Sequence, residues 1–325
     1  MACFPQKMNH DRLTINAKPP SPNVPTIFDI THTTHYRYAR QVMLGEHLVQ
    51  FRPRDSHDLR VLATDLRIKP TPVDIRMFQD AYSNSIAMIQ PQSPAVELEV
   101  VCMSTVEHTG TRAVNFPMSS RAQRFPLAYT DEERLVLRHY LTPFYDDPAG
   151  TLQDWANQFI RPDELTCTRE LLVEMTQFIR DTTHYHVRLN PGVQTPYDTL
   201  RLRSGACRDF ATLMIEAVRR LGYAARFVSG YLYNPWVDTQ DQLSHESGNG
   251  NGNGNGSTHA WVQVYLPDAG WIPFDPTNNL IGGTNLISVG VARHASLAVP
   301  VSGSWHGSPE DFLGMDITVQ VRKRA

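Results

Sequence analysis

The hydrophobic period of this chain changes once, near residue 126, and that change decides what it can fold into. Before it, IFDITHTTHYRYA, MLGEHLVQFRP, RVLATDLRIKP, RMFQDAYSNSIAMIQ and VELEVVCMSTVEH alternate apolar and polar residues and are rich in Thr, Val, Ile and Tyr. Period two with β-branched residues marks half-buried strands, and Pro and Gly separate these runs. Residues 27–125 are therefore expected to form an antiparallel β-rich domain, a sandwich or open barrel. After the change, apolar residues recur at three and four. Thr130 and Glu133 make a capping box ahead of RLVLRHYL, and Thr151 is a candidate cap for TLQDWANQFI. CTRELLVEMTQFIRDT places positions 171, 172, 175, 178 and 179 on one helical face. HYHVRLNPGVQTPYDTLRLRS reads as a loop with a single turn of helix.

A longer helix starts at or near Cys207. Phe210, Leu213, Met214, Ala217, Val218 and Leu221 form its apolar stripe, Arg219 and Arg220 sit in its last turn, and Gly222 is placed to end it. AARFVSGYLY, HAWVQVYL and WIPFD follow as strands, the last two joined by the turn PDAG. DITVQVRK, within the C-terminal segment 301–325, is expected as a closing strand. The fold class expected from this order is α+β.

Composition narrows the function classes. Net charge is -3, from 30 basic and 33 acidic residues, which gives no reason to expect nucleic acid or an anionic membrane as partner. Cys3, Cys102, Cys167 and Cys207 are far apart and form no CxxC pair. Zinc sites and disulfide frameworks show closer or more numerous cysteines, so a reducing, cytoplasmic compartment is expected. The start lacks the apolar core of a signal peptide, and no apolar run approaches the ~20 residues that span a bilayer. Residues 1–26 are polar and proline-rich and read as a flexible tail. Residues 247–257, SGNGNGNGNGS, bury nothing and read as a mobile surface loop two residues ahead of His259. Nucleotide-binding glycine motifs are absent.

The stretch SGACRDF puts Cys207 at a helix start behind two small residues. Free N–H groups and the positive end of the helix dipole favour a thiolate there, and the same N–H groups can stabilise an oxyanion. A lone cysteine in such a place is more often a small buried hydrophobe. Two further residues change the balance. His259 opens one strand, Asp275 ends the next, and a short turn makes the two antiparallel, so both fall at the same end of the sheet. A thiol nucleophile needs an imidazole partner, and the imidazole needs a group that orients it. Taken singly, His259 reads equally as a strand-end histidine and Asp275, before Pro276, as a turn residue. Asp209 is accounted for by the helix dipole, with Arg208 and Asp209 as candidate supports of the thiol. Trp261 is either a wall of the site or a core residue. His32 with His35, or His184 with His186, have no cysteine or carboxylate placed to complete a metal site.

GACRDFATLMIEAVRRLGYAARFVSGYL and HAWVQVYLPDAGWIPFDPTNN, with the spacing between them, resemble the core of the bacterial transglutaminase-like superfamily. THTTHYRYARQVMLGEHLVQFRPR resembles the β-rich domain that precedes that core in many bacterial members. The resemblance implies a papain-like fold over residues 126–300 and a Cys–His–Asp triad. By position, the nucleophile falls on Cys207, the general base on His259 and the orienting acid on Asp275, with no cofactor and no metal. It implies acyl transfer or hydrolysis at an amide through a thioester, on a peptide or protein carrying a glutamine or amide group. The triad does not separate a peptidase or amidase from a protein-glutamine acyltransferase. The rival from another class is a non-catalytic interaction scaffold built on the same core. The oligomeric state is not in the sequence.

Overall fold

The computed structural model describes residues 25–110, 116–162, 164–188, 192–234, 256–283 and 285–324. The expected tail, most of the Asn-Gly loop and Cys3 lie outside these residues.

Alternation builds the first sheet. Its strands are β1 (Thr26–Val49), β2 (Leu59–Lys69), β3 (Val73–Gln79), β4 (Ser85–Pro91) and β5 (Ala95–His108), in the order β2-β5-β1-β4-β3. Two of the sequence segments behave differently from expectation. The first two runs fuse into one 24-residue strand, β1. Register shifts after Arg37 and Leu44 let it bend and change partners. Gly45 lies inside that bend because a Cβ there would stand 2.3 Å from Ser304 Oγ. RMFQDAYSNSIAMIQ is a hairpin and not a single strand. Asp80 accepts from the N–H groups of Tyr82 and Asn84 at 2.9 and 2.8 Å, which closes a turn between β3 and β4.

The second unit carries α1 (Asp131–Leu141), α2 (Thr151–Asn157), α3 (Thr168–Thr182), β6 (His184–Tyr185), α4 (Pro196–Leu202), β7 (Ser204–Gly205) and α5 (Cys207–Arg220). Then come β8 (Ala225–Tyr233), β9 (Gly256–Leu266), β10 (Gly270–Asp275), β11 (Leu280–Ile281) and β12 (Leu286–Ala292). The capping box of α1 forms as its residues require, with Glu133 N–H on Thr130 Oγ1 at 3.2 Å and Thr130 N–H on Glu133 at 2.8 Å. The N-cap of α2 is Gly150 in the left-handed region, and Thr151 is its first helical residue. The expected loop at 184–204 contains a full short helix, α4, capped by Thr195 with Pro196 at its first position.

The antiparallel sheet β11-β10-β9-β8-β12 packs on one side of α5, and α2, α3 and α4 cover the other. That enclosure is why α5 is buried all round, including its polar face. Glu216 is buried there and accepts from the Phe144 N–H at 3.0 Å, from Arg219 at 2.9 Å and from Arg220 at 3.0 Å. A buried carboxylate in this place is tolerable only because its oxygens are met by donors.

The C-terminal segment returns to the first sheet. β13 (Val301–His306) and β14 (Phe312–Lys323) both pair antiparallel with β1. Val319 and Val321 of β14 join Phe28, Ile30 and Val106 against Tyr231, Tyr233, Ile287 and Val289 of the second sheet. The chain is thus an α+β protein with a β-rich sheet stacked on a helix-and-sheet core.

Candidate functional site

The helix start is built before the thiol is placed. Ser204–Gly205 pairs in parallel with His184–Tyr185, which brings the chain to α5 in extended form. Ala206 is the N-cap residue, with φ -91° and ψ 172°, and Cys207 opens the helix half-buried. Ala206 has no side-chain oxygen to cap with, so Asp209 supplies one. Its carboxylate accepts from the Ala206 N–H at 2.9 Å and the Gln194 N–H at 2.7 Å, and it pairs with Arg188 at 2.8 Å. Gly205 is needed beside it, since a Cβ there would stand 2.9 Å from the Asp209 Cβ. Arg208 donates to the carbonyls of Gly192 at 2.7 Å and Arg188 at 3.0 Å. The helix dipole alone therefore does not account for Asp209. It ties the preceding loop to the first turn, and sequence spacing carried no signal for its partners Arg188 and Gln194.

The partner strands arrive from the other side. His259 lies opposite Gly230 of β8, and β10 pairs with β9 so that Phe274 faces Val262. Asp275, one residue on, lies at the end of β10 within reach of His259. His259 Nε2 stands 2.8 Å from Asp275 Oδ2, with both side chains almost wholly buried. Asp275 Oδ1 accepts from the N–H groups of Thr277 and Asn278 at 2.9 and 3.3 Å. Asn278 Nδ2 donates to Asp275 Oδ2 at 2.8 Å and lies 3.2 Å from His259 Nε2. Asn278 is a site residue that the sequence reading missed; the signal for it was Asp275-Pro276 itself, an Asx turn that carries its third residue back over the carboxylate.

Nε2 faces Asp275, and the Cys207 side chain lies near enough to the ring to favour its charged form. Burial works against a charged imidazole here. The Asp275 carboxylate and its hydrogen bond, with Cys207 adding to them, outweigh burial and hold His259 well above its ordinary value. Burial likewise opposes the ionised Asp275. His259, Asn278 and the Thr277 N–H overcome it and hold the carboxylate below its usual range. The fold thus brings half-buried Cys207 to the buried His259–Asp275 pair at one end of the sheet.

The remaining candidates separate. Trp261 is fully buried among Val228, Leu286 and Val291, and its ring also lies 6.1 Å from that of His259 at 24°. It is a core residue that flanks the imidazole. His32 points inward and His35 outward to Glu97 at 2.9 Å, so the pair does not converge. His184 and His186 are exposed. Among the described residues, no group of three or more His, Cys, Asp or Glu stands together as a metal site. No described helix is long and apolar enough to cross a membrane.

Comparison with known proteins extends this geometry. The profile described as the transglutaminase-like superfamily matches residues 153–276, a span that ends one residue after Asp275 and includes α5 and β9. The bacterial transglutaminase-like N-terminal region matches residues 28–107. The chain belongs to the transglutaminase-like superfamily. Within this superfamily context, an uncharacterized protein of Mycobacterium tuberculosis is 26% identical over 310 residues, covering 90% of this chain and 92% of its own. A protein-glutamine gamma-glutamyltransferase of Pseudomonas aeruginosa is 35% identical over 75 residues, 23% of this chain and 10% of that protein. The crystal structure of a candidate cysteine protease from Cytophaga hutchinsonii superposes with a TM-score of 0.66 at 18% identity, covering 92% of this chain and 91% of that one. That likeness shows a shared fold with that protein over nearly the whole chain.

Proposed function

We propose that this chain is a thiol enzyme acting at amide bonds of peptide or protein substrates, with Cys207 as nucleophile, His259 as general acid and base, and Asp275 as orienting acid. The single observation that carries the reading is the buried His259–Asp275 pair at 2.8 Å, set against a cysteine at a helix start. A charged imidazole beside a thiol favours a thiolate–imidazolium pair. The thiolate attacks the amide carbonyl, and the N–H of Cys207 in the first turn of α5 offers one donor to the oxyanion. His259 gives its proton to the departing amine, and a thioester remains on Cys207. A second nucleophile then gives its proton to His259, attacks the thioester and releases the thiolate. Asp275 keeps the imidazole in the tautomer and orientation this needs. The stretch shared with the Pseudomonas protein-glutamine gamma-glutamyltransferase supports glutamine side chains among the amides to be tried as substrates. The free thiols Cys102, Cys167 and Cys207 support a reducing compartment, the cytoplasm, as the place of action.

The test is the pH dependence of alkylation at Cys207 in wild type and in His259→Ala, read by peptide mass. The expected result is fast labelling in neutral to mildly acidic buffer that slows sharply in the variant, with buried Cys102 and Cys167 as internal controls. Labelling of Cys207 no faster than the controls, and indifferent to His259, would leave the scaffold reading in its place.

A further inference from the structure

The first sheet ends on a strand left open at its edge. β3 closes the path β2-β5-β1-β4-β3 and, among the described residues, pairs only with β4. At the other end of that path β2 is guarded against pairing: it carries Arg60, Asp65, Arg67 and Lys69, and its register slips between Val61 and Ala63. β3 runs without a bulge from Val73 to Gln79, and its two charges, Asp74 and Arg76, are of opposite sign. Its faces differ. Ile75 and Met77 stand opposite Ile89 and Ala87, which belong to the buried core of this sheet. They carry that apolar face to the margin, where they are 44% and 61% exposed. Asp74, Arg76 and Phe78 share the other face. Arg76 rests on Met88 Sδ at 3.4 Å and over the Phe78 ring, Asp74 accepts from Gln92, and neither has an ion-pair partner among the described residues.

The phase of the ladder shows which backbone groups the edge offers. Gln92 N–H donates to the Pro72 carbonyl and Asp80 N–H to the Asn84 carbonyl, both at 3.1 Å. Bonding positions alternate in an antiparallel pair, so even-numbered residues turn their backbone groups to β4. Val73, Ile75, Met77 and Gln79 turn theirs outward. The N–H that Pro72 lacks would have faced β4, so no proline interrupts the free edge. A two-fold axis pairs such an edge with itself antiparallel, and charge decides the register. Centred on Asp74 it sets Asp74 against Asp74, centred on Arg76 it sets Arg76 against Arg76, and centred on Met77 it sets Asp74 against Asp80. Centred on Ile75 it sets Asp74 against Arg76 of the second copy, twice by symmetry. These are non-hydrogen-bonded positions, where opposed side chains stand closest. The same register puts Val73 against Met77 and Ile75 against itself on the apolar face, each pair exchanging both backbone hydrogen bonds. We propose that the protein forms a symmetric dimer by pairing β3 with β3 of a second copy about Ile75, which joins the two first sheets into one.

The experiment is sedimentation equilibrium of the full chain up to about 100 µM, a range in which interfaces of modest area associate. Wild type should rise with concentration toward twice the chain mass of 36.8 kDa. Arg76→Asp and Asp74→Arg each put like charges opposite one another at both symmetric places and should weaken the dimer about tenfold or more. Combining the two substitutions makes the opposed charges unlike again and should return association to near the wild-type level. Ile75→Pro removes an outward N–H and no bond to β4, so it should fold and remain monomeric. Urea unfolding reads whether each variant keeps its fold, and the charge reversals decide the matter alone if Ile75→Pro does not fold. A wild-type monomer throughout the range would overturn the proposal. So would a dimer indifferent to both single reversals, or a doubly reversed chain that pairs no better than the single ones.

Discussion

Replacing Asp209 by asparagine keeps the side chain's size and removes its charge. The fully buried carboxylate serves the Ala206 and Gln194 N–H groups and Arg188 at once. In the Asp209→Asn variant one oxygen becomes N–H2, a donor facing a donor, and Arg188 loses its counter-ion with its side chain only 18% exposed. Breaking a buried ion pair from one side costs about 3–5 kcal/mol, and the residual exposure of Arg188 puts this case near the lower end. An uncapped N–H at the helix start adds about 1 kcal/mol. The expected loss is therefore about 4 kcal/mol by urea unfolding, inside the 5–15 kcal/mol that domains of this kind possess, so the variant folds. A dipole contribution alone would be worth about 0.3–1 kcal/mol, which makes the two accounts of Asp209 separable. The first turn of α5 should loosen, and alkylation of Cys207 should fall toward the rate of an ordinary cysteine. A loss under about 1 kcal/mol with Cys207 alkylation unchanged would refute the idea that this carboxylate organises the helix start.

Three other perturbations probe the rest of the site. His259 is held to about 10 from an ordinary 6.5, so the stability it contributes is complete below 6.5 and is lost as pH rises toward 10. Urea unfolding of wild type and His259→Gln should therefore converge across that window; a gap that widens with pH would contradict the sign. Asn278→Ala removes the amide that bridges Asp275 and His259. It should cost about 1–2 kcal/mol of stability and, with p-nitrophenyl acetate as substrate, reduce steady turnover more than the amplitude of the initial nitrophenolate burst. Gly230→Ala would set a Cβ 2.1 Å from the Ile287 carbonyl and 2.8 Å from Trp261, directly opposite His259. The overpacking should cost about 1–3 kcal/mol, visible as a lowered Tm, and should shift the His259 ring resonances by NMR.

Much of this architecture was legible because its signals are local. Thr130 and Glu133 are three residues apart and meet by helix geometry alone. The antiparallel turn Pro267–Gly270 needs only short-range chemistry, with Asp268 and Gly270 at φ +65° and +76°. From that turn the proximity of His259 and Asp275 follows by counting along two strands. Where the sequence reading failed, a local signal was misweighed. Residues 40–42 looked like a break between two strands and lie within one, and Asp80–Asn84 looked like strand and is a turn.

What remained hidden is non-local. The sequence alone determined the switch from period two to helical period, the start of α5 at Cys207, and the placing of His259 and Asp275 on adjoining strands. These depend on side-chain alternation and turn conformations, which operate over a few residues. Tertiary structure alone decided that β13 and β14 return to β1, that Arg188 and Gln194 gather on Asp209, and that Gln50 and His32 stand behind His259. His32 and Tyr231 are 199 positions apart, and no propensity encodes a hydrogen bond over that span. Such contacts are chosen by the packing of one sheet against another, where burying apolar surface fixes the approach and the polar groups caught inside must find partners or be left without them.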